Sequence, residues 1–272
     1  GLFENACIDP RQAPKSLDTP AGRRLARKAA QESIVLLANK GVLPLEKAKT
    51  IAVVGPNADN VWALYGDYAY NNHVPAPNDI RSVTALAGIR KRAKGVKILH
   101  AKGCETSGQD RSGFDQAIEA AGKADVVIAV MGEKSGFNHD NITGENCDRE
   151  DLRLPGVQED LVAALCATKT PVVLVLLNGR PLTLAAIERD CAAIVEAWLP
   201  GEEGGSAIAD VLFGDVDPGG KLPISFPASV GQVPVHYYRK STSFHHYVDT
   251  ETFPVSKIDP KPAYPFGHGL SY

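Results

Sequence analysis

Two glutamates lie in the most polar stretch of the chain. Glu133 closes an apolar run in Met131-Gly132-Glu133, and Glu145 stands in Thr143-Gly144-Glu145-Asn146-Cys147-Asp148-Arg149, with His139 between the two. About twenty polar residues without hydrophobic periodicity separate Glu133 from Leu154-Pro155, where a compact fold usually connects its elements in two to six, so the stretch reads as a functional loop. A carboxyl group acting as general acid must hold its proton near neutral pH and release it in the transition state, which requires burial or a neighbouring carboxylate. Gly144 allows close backbone approach to Glu145, and Asp148 and Arg149 are near enough in sequence to tune it. The competing reading is an exposed cluster of Glu145, Asp148 and Arg149 contributing little, and on spacing alone that is the commoner fate of loop charges. Glu133 reads either as a rival acid or as a strand-end anchor for the loop. His139 reads as a solvated loop histidine or as a group that tunes Glu145 or touches substrate.

Such a loop needs a rigid base. Five apolar runs, at 51–55, 96–100, 125–131, 171–177 and 192–198, are continuous in Val, Ile and Leu, which suits parallel strands covered on both faces. Helical spacing falls between or beside them at 82–94, 114–123, 157–168, 182–190 and 203–213. The alternation predicts an α/β fold, a three-layer αβα sandwich on a mostly parallel sheet of about six strands, with ligands at the carboxyl ends of the strands. Thr19-Pro20 predicts the start of an amphipathic helix reaching about Asn39, with Thr19 as N-cap and Pro20 at the first helical position. Its Leu25, Ala29, Ile34, Leu36 and Leu37 would cover one sheet edge. After Pro218-Gly219-Gly220, the alternating segment 221–226 predicts one more strand, antiparallel, before an irregular Pro- and Tyr-rich tail. The domain would span 19–230, with extended ends at 1–18 and 231–272.

Bulk composition narrows the functions. A net charge of −3 from 29 basic and 32 acidic residues gives no single-sign field, which disfavours nucleic acid and anionic membranes as partners. No apolar run approaches the ~20 residues of a membrane-spanning helix. Five cysteines without a CxxC pair indicate neither a zinc site nor a redox motif, and the histidines are too irregularly spaced to propose a metal. No cofactor is expected. The segment Val53-Val54-Gly55-Pro56 lacks GxGxxG and places a proline where a pyrophosphate loop needs glycine, and Gly132-Glu133-Lys134-Ser135 lacks the upstream glycine of a phosphate loop. No charged-then-apolar leader opens the chain, so an export signal would lie upstream.

Longer motifs recur in a fixed order: Gly1-Leu2-Phe3-Glu4-Asn5, Ser33-Ile34-Val35-Leu36-Leu37-Ala38-Asn39, Ile51-Ala52-Val53-Val54-Gly55-Pro56-Asn57-Ala58, Asn178-Gly179-Arg180-Pro181, Trp198-Leu199-Pro200-Gly201-Glu202-Glu203-Gly204-Gly205, Phe213-Gly214-Asp215-Val216-Asp217-Pro218-Gly219-Gly220, and Tyr264-Pro265-Phe266-Gly267-His268-Gly269. Together, over nearly the whole chain, they resemble the second domain of glycoside hydrolase family 3, the β-glucosidase and β-xylosidase family. The resemblance implies that the acid/base is a loop glutamate a few residues before an Asp-Arg pair and an apolar-Pro stretch. Glu145, ahead of Asp148-Arg149 and Leu154-Pro155, matches best, with Glu133 as rival and His139, Asp148 and Arg149 as substrate-binding candidates. It further implies a retaining, exo-acting β-glycosidase acting on β-linked oligosaccharides or aryl glycosides. The aspartate nucleophile would come from an N-terminal (β/α)8 barrel, with 1–18 as the link and this chain inactive alone. The aromatic group Trp62, Tyr65, Tyr68 and Tyr70 would mainly pack on that barrel, one ring reaching an outer sugar. Arg180 would orient the acid loop. The compartment leans towards periplasm or secretion without being fixed. The alternative is a carbohydrate-binding or scaffold module that has lost hydrolysis.

Overall fold

The sheet is built from the chain's most apolar runs. The computed structural model describes residues 1, 3–4, 6–7, 9–12, 15, 17–69, 81–136, 141–238 and 261–272. Six strands, β1 (Val35–Asn39), β2 (Thr50–Val54), β3 (Lys97–Ala101), β4 (Val126–Gly132), β5 (Val172–Leu177) and β6 (Ala193–Glu196), form one sheet in the order β1-β6-β5-β4-β2-β3. All neighbours are parallel except β1, which runs antiparallel to β6. Among the described residues the α-helices are α1 (Pro20–Ser33), α2 (Ala85–Arg92), α3 (Phe114–Gly122), α4 (Gln158–Ala167) and α5 (Gly204–Leu212).

Two apolar layers arise from the period-2 alternation of strand side chains. Ile51, Val53, Ile128, Val130, Val173 and Val175 face Ala30 of α1, Leu86 and Ile89 of α2, and Ile208 and Val211 of α5. Ala52, Val54, Val127, Ala129, Leu174 and Leu176 face Ala117 and Ala121 of α3 and Leu161 and Leu165 of α4. Every residue of β4 and β5 is buried, as strands covered on both sides must be. This is the expected three-layer αβα sandwich. Thr19 caps α1 by accepting the Gly22 N–H at 3.1 Å, with Pro20 at its first position.

Three expectations are corrected. The N-terminal helix stops at Ser33, and the chain then extends into β1. Ile34 and Leu36 point into one apolar layer and Val35 and Leu37 into the other, a period that only extended backbone provides. The antiparallel strand of the sheet is therefore β1. Residues 221–226 form no strand: Pro223 has no N–H to give a ladder. Instead Leu222 exchanges bonds with the tail, its N–H to His268 O and its carbonyl to the Gly267 N–H, both at 2.8 Å, and Phe226 bridges Tyr264. The same tail covers the β1 edge, where the Leu270 N–H donates to Leu36 O. Residues 182–190 are turns rather than a helix. The start of that crossover is tied to the returning loop instead, the Thr183 N–H donating to Leu152 O at 2.9 Å. Leu182, Leu184 and Ile187 are nonetheless buried.

Strand order reverses between β2 and β4, whose following connections leave on opposite sides of the crevice between them. Both the loop after β2 and the long loop after β4 emerge at that crevice, where open α/β sheets bind ligands.

Candidate active site

The 133–157 loop is fastened at its base by buried polar groups. Gly132 has φ +136°, and a side chain there would meet Leu177 O at 2.0 Å. Its N–H donates to Gln158 Oε1 at 2.9 Å and its carbonyl accepts from Gln158 Nε2 at 2.8 Å, so one buried amide satisfies both backbone groups at the strand end. Glu133 is 1% exposed, with both carboxylate oxygens engaged by Arg180: Nη2 to Oε1 at 2.7 Å and Nε to Oε2 at 3.0 Å. Arg180 also donates to Asp151 O at 2.8 Å, joining the start of the loop to its return. Behind this pair, Asn178 Nδ2 donates to Arg180 O at 2.8 Å and to Glu196 Oε2 at 3.2 Å, and the Trp198 N–H donates to Glu196 Oε1 at 2.8 Å. Burial pushes the Glu196 carboxyl up to about 8; the nearby Glu133 adds to this, while the Trp198 and Asn178 bonds oppose it.

The tip is fastened differently. The Glu145 N–H donates to Asp67 Oδ2 at 2.5 Å, and the Ser135 hydroxyl donates to Asp67 Oδ1. The Tyr68 hydroxyl donates to Glu145 Oε2 at 2.5 Å, and this bond holds the phenol above its ordinary pKa. Gly144 has φ +127°, and a Cβ on it would lie 2.6 Å from Asp67 Oδ2. Glycine is thus required there twice, by backbone angle and by space. Within the loop, the Gly136 N–H donates to Thr143 O and the Ile142 N–H to Lys134 O, and the Cys147 thiol donates to Asn141 O.

Glu145 is exposed on this chain, and the carboxylate brought to it is Asp67, from the loop after β2. Asp148 is exposed and Arg149 half-buried; among the described residues neither pairs with Glu145, and Arg149 lies instead near enough to favour the charge of Asp151. His139 and Tyr70 lie outside the described residues. Of the aromatic group, Trp62 begins a short 3-10 turn, Tyr65 packs on the core with its hydroxyl 2.6 Å from Ser82 Oγ, and Tyr68 stands out into solvent. Beside them a cleft of about 710 Å³ opens over the ends of β2, β3 and β4, lined in part by Trp62, His100, Lys102 and Lys134. Among the described residues no group of three or more His, Cys, Asp or Glu could hold a metal ion, and no helix is long and apolar enough to cross a membrane.

Sequence reasoning did not single out Asp67, Gln158 or Glu196. Glu196 carried a signal, a carboxylate within an apolar strand. Asp67 carried little, because its partners are 68 and 78 positions away.

Residues 34–272 match the model of the glycosyl hydrolase family 3 C-terminal domain. The chain belongs to this family. Within it, the "Periplasmic beta-glucosidase" of Salmonella typhimurium is 42% identical over 100% of this chain and 38% of its own length. A "Beta-xylosidase" of Formosa agariphila is 39% identical over 95% of the chain and 36% of its own. Among solved structures, the β-glucosidase from Listeria innocua in complex with isofagomine superposes with a TM-score of 0.85 at 31% identity, over all of this chain and 37% of that one. The family 3 domain therefore spans little more than a third of these relatives, and each contains a further portion that this chain does not.

Proposed function

We propose that this family 3 domain supplies the acid/base carboxylate, Glu145, of a retaining exo-acting β-glycosidase that releases terminal glucose or xylose from β-linked substrates. The nucleophilic aspartate and most of the sugar pocket belong, in this reading, to a (β/α)8 barrel. In the first step Glu145 donates its proton to the departing glycosidic oxygen; in the second it takes a proton from the water that attacks the glycosyl-enzyme.

The observation that carries this reading is the contrast between the two candidate glutamates. Glu133 has both oxygens on Arg180 and no face left for a substrate, whereas Glu145 projects from a fixed loop tip at the carboxyl end of the sheet. The exposure of Glu145 on this chain fits a donor whose burial comes from the opposing barrel and the bound sugar. In a retaining site the two carboxyl groups stand about 5 to 5.5 Å apart, so the barrel would close directly over this tip. Tyr68, exposed next to Glu145, is placed to meet the leaving group.

The test is Glu145→Gln in the barrel-containing enzyme. Turnover of unactivated disaccharides is expected to fall by about 10²- to 10⁴-fold, with far smaller loss of kcat/KM on dinitrophenyl glycosides and acceleration of those by added azide. Unchanged kinetics would reject the assignment and favour a binding or scaffold module.

A further inference from the structure

We infer that Asp67 is a positioning residue for the acid/base, holding the backbone of Glu145 so that its carboxyl is presented at one fixed place; this rests on the function proposed for Glu145. Asp67 comes after β2, whereas Glu145 lies in the loop after β4, so the contact ties together the two connections that flank the crevice of the sheet. Each oxygen of Asp67 has its own donor in the acid loop. Oδ2 takes the Glu145 N–H, and Oδ1 takes the hydroxyl of Ser135, near the start of the loop.

The loop is shaped around this carboxylate. Gly144 brings its Cα so close that an added Cβ would lie 2.6 to 2.8 Å from three Asp67 atoms. The next residue, Tyr68, bonds the Glu145 side chain itself. Residues 67 and 68 therefore restrain Glu145 at two points, amide and carboxylate.

A glutamate side chain has three rotatable bonds, and its reach is defined only if the backbone bearing it is fixed. Gln158 and Arg180 fasten the loop at its base, and the bonds of Gly136 to Thr143 and Ile142 to Lys134 join the loop to itself, so that among the described residues only the bond of Asp67 holds the backbone of residue 145 to another part of the domain. A displacement of about 1 Å at a reacting group costs on the order of 10²-fold in rate. Bonds to an ionised acceptor are about twice as strong as neutral ones, which suits a carboxylate to this task.

The test compares Asp67→Ala, Asp67→Asn and Ser135→Ala with Glu145→Gln in the barrel-containing enzyme, reading kcat/KM on a disaccharide and on a dinitrophenyl glycoside. Asp67→Ala is expected to lose about 10²-fold on the disaccharide and only a few-fold on the activated substrate, because a good leaving group needs no proton. Asp67→Asn, which keeps one acceptor oxygen for the Glu145 N–H, is expected to recover most of that loss. Ser135→Ala, which leaves Asp67 in place, should fall between the two.

Hydrogen exchange on the present chain supplies a readout without catalysis. Exchange of the Glu145 amide is expected to rise in Asp67→Ala while that of β4 amides stays at the parent value. Equal losses on both substrates, or an unchanged Glu145 amide, would overturn the role of Asp67 while leaving Glu145 as the acid. If Glu145→Gln itself shows no dependence on the leaving group, both readings fall together. Should Asp67→Ala not fold, Asp67→Asn and Ser135→Ala carry the same comparison, and a leaving-group signature in neither would overturn the inference.

Discussion

The base and the tip of the 133–157 loop use the same side-chain chemistry to opposite ends. At the base, Glu133 and Glu196 are buried, and their oxygens are occupied by Arg180, Asn178 and the Trp198 N–H. At the tip, Asp67 holds a backbone amide and leaves Glu145 exposed. A buried carboxyl group with both oxygens engaged fixes structure and is lost to chemistry. One held by its backbone amide and by a single exposed hydroxyl stays available to a substrate. The lesson is that, of two glutamates in one loop, the less buried one in the isolated domain is the better candidate for catalysis, since its burial can be completed by whatever docks above it.

The largest effect that should separate the two regions is on stability at the base. Arg180→Ala leaves the Glu133 carboxylate buried and unpaired, a change that typically costs about 3–5 kcal/mol, and it also releases Asp151 O. Chemical denaturation should show that loss, while Asp67→Asn at the tip should barely shift the midpoint. A midpoint of Arg180→Ala equal to that of the parent would show that the ion pair is not what fastens the loop.

A second effect, smaller over any one pH unit, concerns pH. Because burial raises Glu196 to about 8, the folded chain keeps a proton there that the unfolded chain releases near the ordinary carboxylate value. Between those two values the native state binds more protons, so stability is greatest below this window and falls as pH rises through it, levelling off above about 8. The slope approaches about 1.4 kcal/mol per pH unit within the window. Glu196→Gln should flatten that portion of the stability profile, and an unaltered slope would mean that Glu196 titrates as an ordinary carboxylate.

The smallest effect is expected at the tip. Tyr68→Phe removes an exposed hydroxyl that bonds Glu145, and the melting temperature should not move. A clear drop would make the tip structural and blur the contrast with the base.

Much of the sandwich was legible in the chain because a doubly covered strand leaves a continuous apolar run, as at 126–132 and 172–177. β1 was hidden because Ile34-Val35-Leu36-Leu37 continues from a helix without a break, and a short apolar run has no period long enough to tell strand from helix. The turns at 182–190 were hidden for a related reason: Leu184, Ile187 and Cys191 are buried at intervals of three and four, as a helix would space them. The loop glutamates were legible as candidates from their setting and from the family motifs.

By itself, then, the sequence determined the layers of the sandwich, the family, and the loop that carries the candidate glutamates, because hydrophobic pattern and short motifs are local properties of the chain. Tertiary structure alone decided that Glu133 is locked beneath Arg180 and that Asp67 grips Glu145. Those partners are brought together only when separate strands align in one sheet, and no spacing along the chain encodes a contact across 47 or 78 positions.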